Sequence, residues 1–412
     1  MITIVETHQK SMIDIKNSIL TLMENLDYVP SKSRILLKPN IVDAITPNNP
    51  TITHPKVVGG IILALNEKGA KEFVIGENSG FFSFKEEHFQ RLLNTTKYEQ
   101  TIKQLKKNYD IDVRAENLEF TEFDDYNWKF GILKLPYMCK THAYINIPKM
   151  KSHLMTGATL CMKNQKGLLQ LSEKKQFHLG YGNITNIHEC IREFSKIIQP
   201  ELNIVDATTA LEDTGPAVLP EGQTKTRKLN LCIGGYNMAE VDNACLKIMG
   251  ISLDEAKHIP YKKIELATKS LPIIPANPPF QKPNKYIKYG NILSYCSDKA
   301  CTGCQMVYSR IFRKLSFNPE LMQKYHDVQK FYPKIEFYIG KQEIDKIEKN
   351  VIPKVFFGQC TKKDFKDYLN RIQTLPIEEK PEIIHISGCS ADHNEGIKAI
   401  LNLKKLNKKS ES

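Results

Sequence analysis

Hydrophobic and polar positions alternate along the first part of the chain in the pattern of an α/β fold. An apolar run at 34–38 predicts a strand, and apolar residues at helical spacing after His54-Pro55 predict a helix that ends at Gly69. The apolar run at 73–76 predicts the next strand. Strand, helix and strand in this order indicate a βαβ unit of a parallel sheet.

The same patterns continue to the end of the chain. They predict helices at 84–109, 187–198 and 238–249, strands at 143–147, 202–206 and 229–233, and a polar loop at 208–222. Residues 271–289 contain five prolines and predict a break between domains. Beyond the break, strands at 334–339, 355–357 and 382–386 alternate with helices at 301–314, 362–372 and 394–401.

The predicted fold class is therefore α/β, with a parallel-sheet N-terminal domain and a smaller C-terminal α/β unit. The cysteines of the C-terminal unit make it the expected cluster-binding unit, where the cluster is one of metal ions. The predicted divisions are an N-terminal domain with a ligand cleft at 1–270, a Pro-rich linker at 271–290, a cysteine-containing domain at 291–405 and a polar tail at 406–412. Composition agrees with this: among 412 residues 41% are hydrophobic and 25% charged. These values exclude wholesale disorder, collagen-like repeats and a coiled-coil rod.

The net charge and the distribution of apolar residues indicate where in the cell the protein is located and which partners it binds. The net charge is +12, from 58 Lys and Arg against 46 Asp and Glu. Such a surface attracts nucleic acid, anionic lipid or anionic substrates, or its lysines simply keep the surface solvated. No nucleic-acid-binding motif is present, so we expect no nucleic acid partner. No apolar run approaches the roughly 18 residues of a membrane span and no secretory signal pattern begins the chain, so we expect a cytoplasmic protein without a membrane partner.

Polar side chains that can bind a ligand or transfer protons follow the predicted strands. Because ligands bind beyond the carboxyl ends of parallel strands, we expect these side chains to converge on a small anionic substrate. The predicted catalytic groups are Lys151, His153, Glu212 and Asp213. The lysine and the imidazole suit an anionic ligand, and the two carboxylates suit proton transfer or cation binding. The predicted substrate-binding residues are Lys38, Asn40, His54, Glu77, Lys149, Lys163, Asn164 and Asp206.

Each of these residues also has a purely structural interpretation. Thr53 and Pro55 suit the start of a helix, and Asp206 suits a cap or a turn. Two nucleotide-binding motifs are missing from the sequence, namely Gly-x-Gly-x-x-Gly after the first strand and a Walker A loop. The sequence therefore gives no support for NAD or ATP.

The motifs in these loops resemble a known family, the domain of unknown function 362 (DUF362). They include Lys38-Pro39-Asn40, Thr53-His54-Pro55, Pro148-Lys149-Met150-Lys151-Ser152-His153 and the loop from Gly157 to Asn164. The chain departs from the family pattern in the motif that runs from Asp206 to Pro216, where Ala207 replaces Gly and Leu211 replaces Met. The resemblance covers about 35 to 261. It implies an α/β domain, common in anaerobic prokaryotes and often joined to iron–sulfur domains, whose reaction is unknown.

Ten cysteines in a long chain without a secretory signal point to metal ligation or catalysis rather than to disulfides. Cys301 and Cys304 lie at a predicted helix start, and Cys360 and Cys389 each follow a predicted buried strand closely, so four thiolates can meet. A single C-x2-C pair with distant cysteines favours an iron–sulfur cluster over zinc, and redox-active thiols without a metal are a third interpretation. A 4Fe–4S cluster is favoured because it is the commoner partner in proteins that resemble this family. Cys296 is expected beside the metal rather than bound to it.

Together these features predict a cytoplasmic iron–sulfur redox enzyme that acts on a small anionic substrate. The cluster is expected near the cleft of the first domain, with an electron-donor protein as a further partner. The alternative is a binding or scaffold protein that a structural zinc or iron–sulfur site stabilises and that binds RNA.

Overall fold

The computed structural model describes residues 1–9, 11–42, 50–78, 85–179, 181, 187–213, 215, 225–260, 271–281, 288–297, 300, 302–388 and 391–406. The chain divides into two compact units, Met1–Pro283 and Asn284–Ser412. Each unit contains its own sheet and its own apolar core. Within the described ranges, no helix is long and apolar enough to cross a membrane.

The first unit alternates strands and helices. Its strands are β1 (Ile2–Glu6), β2 (Arg34–Pro39), β3 (Glu72–Glu77), β4 (Asp112–Asn117), β5 (Phe123–Trp128), β6 (Gly131–Pro136), β7 (Ala143–Ile147), β8 (Lys149–His153), β9 (Gly157–Thr159), β10 (Leu202–Glu212) and β11 (Lys225–Gly235). Its helices are α1 (Met12–Asn25), α2 (Pro55–Glu67), α3 (Glu86–Thr95), α4 (Tyr98–Tyr109), α5 (Met138–Thr141), α6 (Cys161–Asn164), α7 (Leu171–Leu179), α8 (Ile187–Phe194) and α9 (Met238–Met249).

The main sheet of this unit has the order β1-β11-β10-β7-β2-β3-β4. The pairs from β10 to β4 are parallel, whereas β11 is antiparallel to both of its neighbours. Strand β8 adds to β10 in parallel and carries β9 beside it. The carboxyl ends of β2, β3 and β7 therefore meet at one edge, and β8 continues from that edge.

Helix α2 shows why the sheet folds as it does. Its apolar residues pack into the main core, and nearly all of its side chains are buried. The ring nitrogen Nδ1 of His54 caps its first turn by accepting the backbone N–H of Lys56, and Pro55 occupies the first helical position. The Thr53-His54-Pro55 motif thus begins this helix at the edge of the sheet where β2 ends.

The second unit contains a smaller sheet of order β12-β13-β14-β15-β16. Its strands are β12 (Lys288–Tyr289), β13 (Ile292–Cys296), β14 (Ile335–Ile339), β15 (Lys354–Phe357) and β16 (Ile383–Ile386), and its helices are α10 (Thr302–Phe317), α11 (Pro319–Phe331), α12 (Lys362–Ile372) and α13 (His393–Leu406). The strands from β13 to β16 run parallel. The predicted α/β class is thus confirmed in its general form, a large and mostly parallel sheet with helices. The cluster-binding role of the second unit stays a prediction.

Some predicted elements were wrong in type or extent. The single helix predicted at 84–109 is two helices, α3 and α4, because the chain turns at Lys97 with a φ of 65°. The loop predicted from residue 208 begins as strand, since β10 pairs with β11 as far as Glu212. The segment predicted to run from β7 as a polar loop is strand β8. Helix α11 and the β5–β6 hairpin were not predicted.

Candidate functional site: a buried lysine cluster

Lys38 and Glu77 form a buried ion pair at the ends of two neighbouring parallel strands. Lys38 Nζ lies 2.8 Å from Glu77 Oε2, and neither side chain is more than 4% exposed. Glu77 also accepts the backbone N–H groups of Ile41 and Asn78 at 2.8 and 3.0 Å. A Cβ atom at Gly167 would lie 2.1 Å from Lys38 Cε, so only glycine fits against the pair. Burial lowers the pKa of Lys38, and Glu77 opposes that shift.

A second buried pair joins Lys149 of β8 to Asp206 of β10. The two residues are register partners in the parallel pairing, and Lys149 Nζ lies 2.8 Å from Asp206 Oδ2. The carboxylate also accepts the backbone N–H of His54 at 2.9 Å and both the N–H and the hydroxyl of Thr208. Burial alone would raise the pKa of Asp206, but Lys149 and these hydrogen bonds hold it below its usual value. Asp206 therefore stays ionised and ties β8, β10 and the start of α2 together.

Lys151 is held differently, by neutral oxygen atoms. Its Nζ donates to Asn40 Oδ1 and to the carbonyl oxygen of Thr51, both at 2.7 Å. Asn40 in turn donates its amide to Asn164 Oδ1 at 2.8 Å, and Asn164 donates to the carbonyl oxygen of Lys38 at 3.0 Å. Burial, followed by the charge of Lys163, lowers the pKa of Lys151 well below its usual value. In contrast to Lys38 and Lys149, this amine has no carboxylate among its hydrogen-bond partners in the described residues.

His153 ends β8 next to this amine. It is 3% exposed, and its Nδ1 accepts the backbone N–H of Met155 at 3.1 Å. Burial, and then the charges of Lys163 and Lys151, lower the pKa of His153 well below its usual value. The neutral ring therefore carries its proton on Nε2. A buried imidazole in that form can donate a hydrogen bond from Nε2 to a bound group.

Lys163, on the short helix α6, lies at the centre of a group of basic side chains. Burial lowers its pKa to about 7. Six other basic side chains have lowered pKa values, with burial as the largest cause in each and the charge of Lys163 as a further cause. They are Lys151, His153, Lys166, His178, His188 and His258. We call Lys38, Lys149, Lys151, Lys163, Lys166 and Lys174 the lysine cluster; all of them are buried except Lys163, which is half-buried. Lys38 and Lys149 each form an ion pair of less than 4 Å with a carboxylate.

The predicted catalytic carboxylates engage other partners. Glu212 Oε2 lies 2.9 Å from the guanidinium of Arg227 and accepts the backbone N–H of Gln281. Asp213 Oδ2 lies 3.2 Å from Lys225 Nζ. Contacts within the described ranges join neither carboxylate to the lysine cluster. The structure thus brings together Lys38, Asn40, Lys151 and Asn164 through hydrogen bonds, and it joins His54 and Lys149 to Asp206.

The predicted metal ligands lie in the second unit, and two of the four can be described. Cys304 is buried in the first turn of α10, and Cys360 is exposed just after β15. Between them, Gly358 has a φ of 100°, and a Cβ atom there would lie 2.9 Å from Cys304 Sγ and 3.6 Å from Cys360 Sγ. The two sulfur atoms therefore face the same glycine. Cys301 and Cys389 lie outside the described residues, within which no group of three metal-ligating side chains occurs.

The part of the chain that contains the lysine cluster matches a known protein family. The model of the family described as "Domain of unknown function (DUF362)" matches residues 35–247, just over half of the chain. The chain belongs to the DUF362 family. The match spans every predicted catalytic and substrate-binding residue and none of the cysteines of the second unit.

A related protein carries a location in its name. "Thylakoid-associated protein sll1697" of Synechocystis sp. is 30% identical to this DUF362 member over 211 residues. The alignment covers 48% of this chain and 60% of the relative, so the chain spans less than two thirds of that protein. No solved structure matches the chain.

Sequence reasoning missed several groups of the DUF362 site. Asp242 of α9 is fully buried and accepts the backbone N–H groups of Cys161 and Met162 at 2.6 and 3.0 Å, which fixes the start of α6. Burial raises its pKa to about 7. Lys166 Nζ lies 2.7 Å from His178 Nε2. An acidic residue within the apolar stripe of α9 was the available signal for Asp242, whereas nothing in the local pattern marks His178.

Proposed function

We propose that this DUF362 member is an enzyme whose first unit binds a small anionic substrate at Lys151, His153 and Lys163. The observation that supports this most directly is the environment of Lys151, whose amine is buried against two neutral oxygens. A buried ammonium without a counter-charge is costly, and a bound anion would supply that charge. Lys163 adds a second amine that is half-buried and has no carboxylate partner within the described parts of the chain.

Lys151 and His153 are the proposed proton-transfer groups. Burial lowers the pKa of both groups and favours their neutral forms, and a bound anion would oppose that shift. Lys38–Glu77 and Lys149–Asp206 are the proposed supports, because their charges are already balanced. Glu212 and Asp213 stay predicted catalytic groups, and their ion pairs with Arg227 and Lys225 make them weaker candidates.

We also propose that the second unit holds an iron–sulfur cluster, with 4Fe–4S favoured over zinc. The residues fit such a group: a Cβ at Gly358 would press on Cys304 Sγ, so glycine keeps the space between the two sulfurs open. Cys301, Cys304, Cys360 and Cys389 are the proposed ligands. When bound, the cluster would supply single-electron transfer or a Lewis-acidic iron, which would make the enzyme an oxidoreductase.

The proposed location is the cytoplasm. The relative named for its thylakoid association makes a membrane surface the alternative, and the net charge of +12 would favour contact with anionic lipids. Cell fractionation at low and high salt separates the two. Recovery in the membrane fraction at low salt and release at high salt would contradict the cytoplasmic proposal.

Titration calorimetry of the full chain with phosphate, sulfate, acetate and succinate tests the anion proposal. We expect wild type to bind at least one of these anions, and K151M to bind it at least about tenfold more weakly, a loss of about 1.4 kcal/mol. The matched control is K103M on the surface of α4, where Lys103 is 73% exposed. Equal affinity in K151M, or no binding of any of the four anions by wild type, would overturn the proposal.

A further inference from the structure

Lys163 differs from the other lysines of the cluster in what its amine contacts. Lys38 and Lys149 are bound to carboxylates, and Lys151 is fixed by two short hydrogen bonds. The contact of Lys163 Nζ is Thr159 Oγ1 at 3.5 Å, the outer limit of a hydrogen bond. Within the described residues, the amine nitrogen of Lys163 therefore forms neither an ion pair nor a short hydrogen bond.

The surroundings of this amine favour a nucleophile. Lys163 is half-buried, so part of its side chain is open to a small molecule. Burial lowers its pKa to about 7, so a large fraction of the amine is neutral near neutral pH. A desolvated lysine with a lowered pKa is a known setting for amine attack on a carbonyl group.

We propose that Lys163 forms an imine with the carbonyl carbon of a small anionic aldehyde or 2-oxo acid. This proposal rests on the proposed function, because the anionic group of the same molecule is bound at the same site. It narrows the substrate class from any small anion to one that also carries a carbonyl group.

The step balances without an oxidant or a reductant. The neutral amine of Lys163 attacks the carbonyl carbon, the electron pair of the C=O bond moves to oxygen, and the oxygen takes a proton. The resulting carbinolamine loses its hydroxyl group with a second proton as water, which leaves a C=N bond. The carbonyl oxygen and the two hydrogens of the amine thus depart as one water molecule.

Neighbouring residues suit the other parts of this step. Lys151 is the proposed anchor of the anionic group, since a bound anion favours its charged form. His153 carries its proton on Nε2, because Nδ1 accepts the backbone N–H of Met155, and this N–H is the proposed hydrogen-bond donor to the oxygen of the carbinolamine. Asn40 and Thr51 keep Lys151 in place and leave Lys163 to react.

Reductive trapping tests the proposal on the full chain. Wild type is incubated with glyoxylate or pyruvate and sodium cyanoborohydride, and the modified residue is mapped by peptide mass spectrometry. We expect a carboxymethyl or carboxyethyl group on Lys163, formed at least about a hundredfold faster near pH 7.5 than on the exposed Lys103, because a pKa of about 7 leaves far more of the Lys163 amine neutral than the ordinary lysine value would. K163R should lose this fast adduct, and K103M should keep it. The mapping on wild type needs no variant to fold.

The outcomes separate this inference from the proposed function. Acetate binding by calorimetry without a fast adduct on Lys163 would overturn the imine proposal and leave the anion site standing. A fast adduct on Lys151 instead, or one that persists at the same rate in K163R, would also overturn it. Absence of binding of any tested anion would instead contradict the proposed function.

Discussion

Lys151 and Asn40 are joined by a hydrogen bond of 2.7 Å from the amine nitrogen to Oδ1. This bond, together with the one from Asn40 Nδ2 to Asn164 Oδ1, fixes the orientation of the Asn40 amide. The oxygen that faces the lysine is therefore neutral, although an aspartate of nearly the same shape would fit there. The site thus contains a buried amine whose nearest side-chain partner provides no charge, and an anion can complete it.

N40D should convert that open site into a closed ion pair. The new carboxylate would neutralise Lys151, raise its pKa and repel an incoming anion, so we expect the affinity for the best of the tested anions to fall at least about tenfold. Calorimetry measures this, with N17D as the control that adds the same charge on the exposed face of α1. Unchanged affinity in N40D would mean that Lys151 does not bind the anion.

E77Q should destabilise the first unit strongly. It leaves Lys38 buried without its partner, and breaking a buried pair in this way costs about 3–5 kcal/mol. The matched control is E99Q, which breaks the exposed pair with Lys103 and should cost roughly 0.5 kcal/mol or less. Urea denaturation of both variants gives the comparison. Losses of equal size would show that the Lys38–Glu77 pair contributes no more than a surface pair.

The low pKa of Lys163 predicts an unusual dependence of the free energy of unfolding on pH. Its folded-state pKa of about 7 lies below the ordinary lysine value of 10.5, so between these values the unfolded chain binds more protons than the folded one. The free energy of unfolding should therefore rise with pH over this window. The difference between wild type and K163M, measured by urea denaturation at pH 7, 8.5 and 10, isolates the effect. A difference that stays constant or falls with pH would contradict the low pKa.

The cysteine variants test the cluster proposal. After anaerobic purification we expect C304A and C360A each to lose most of the bound iron and sulfide, because both sulfurs face Gly358. C190A is the control, since Cys190 is buried in the core of the first unit. Full iron and sulfide content in C360A would remove that residue from the ligand set, and zinc in place of iron in wild type would favour the structural-metal alternative.

Much of the fold followed from periodicity. Helix α12 has the predicted bounds, as does α9, which ends at Gly250 in the left-handed region. The failures arose where tertiary pairing decides the structure. Residues 208–212 are polar enough to suggest a loop, yet they form strand because β11 pairs with them. Lys149, Lys151 and His153 belong to strand β8 for the same reason, since β10 and β9 cover it on both sides.

The site was predicted in its residues rather than in its pairings. Chain order placed Lys38, Glu77 and Lys151 after successive strands, which is enough to expect them near one sheet edge. It could not show that Glu77 neutralises Lys38 while Lys151 has only neutral partners, because that distinction depends on side-chain geometry. His178 and His258 come close to Lys163 through tertiary folding alone, so no local spacing could indicate them.

Anomalous diffraction from a crystal of the full chain soaked in selenate tests the central claim most directly. We expect an anomalous peak for selenium with its oxygens within hydrogen-bond distance, about 3 Å, of the amine nitrogens of Lys151 and Lys163. The same soak of K151M should lose that peak, while peaks at exposed lysines remain. A wild-type crystal with selenate at surface lysines and none at Lys151 and Lys163 would contradict the anion site.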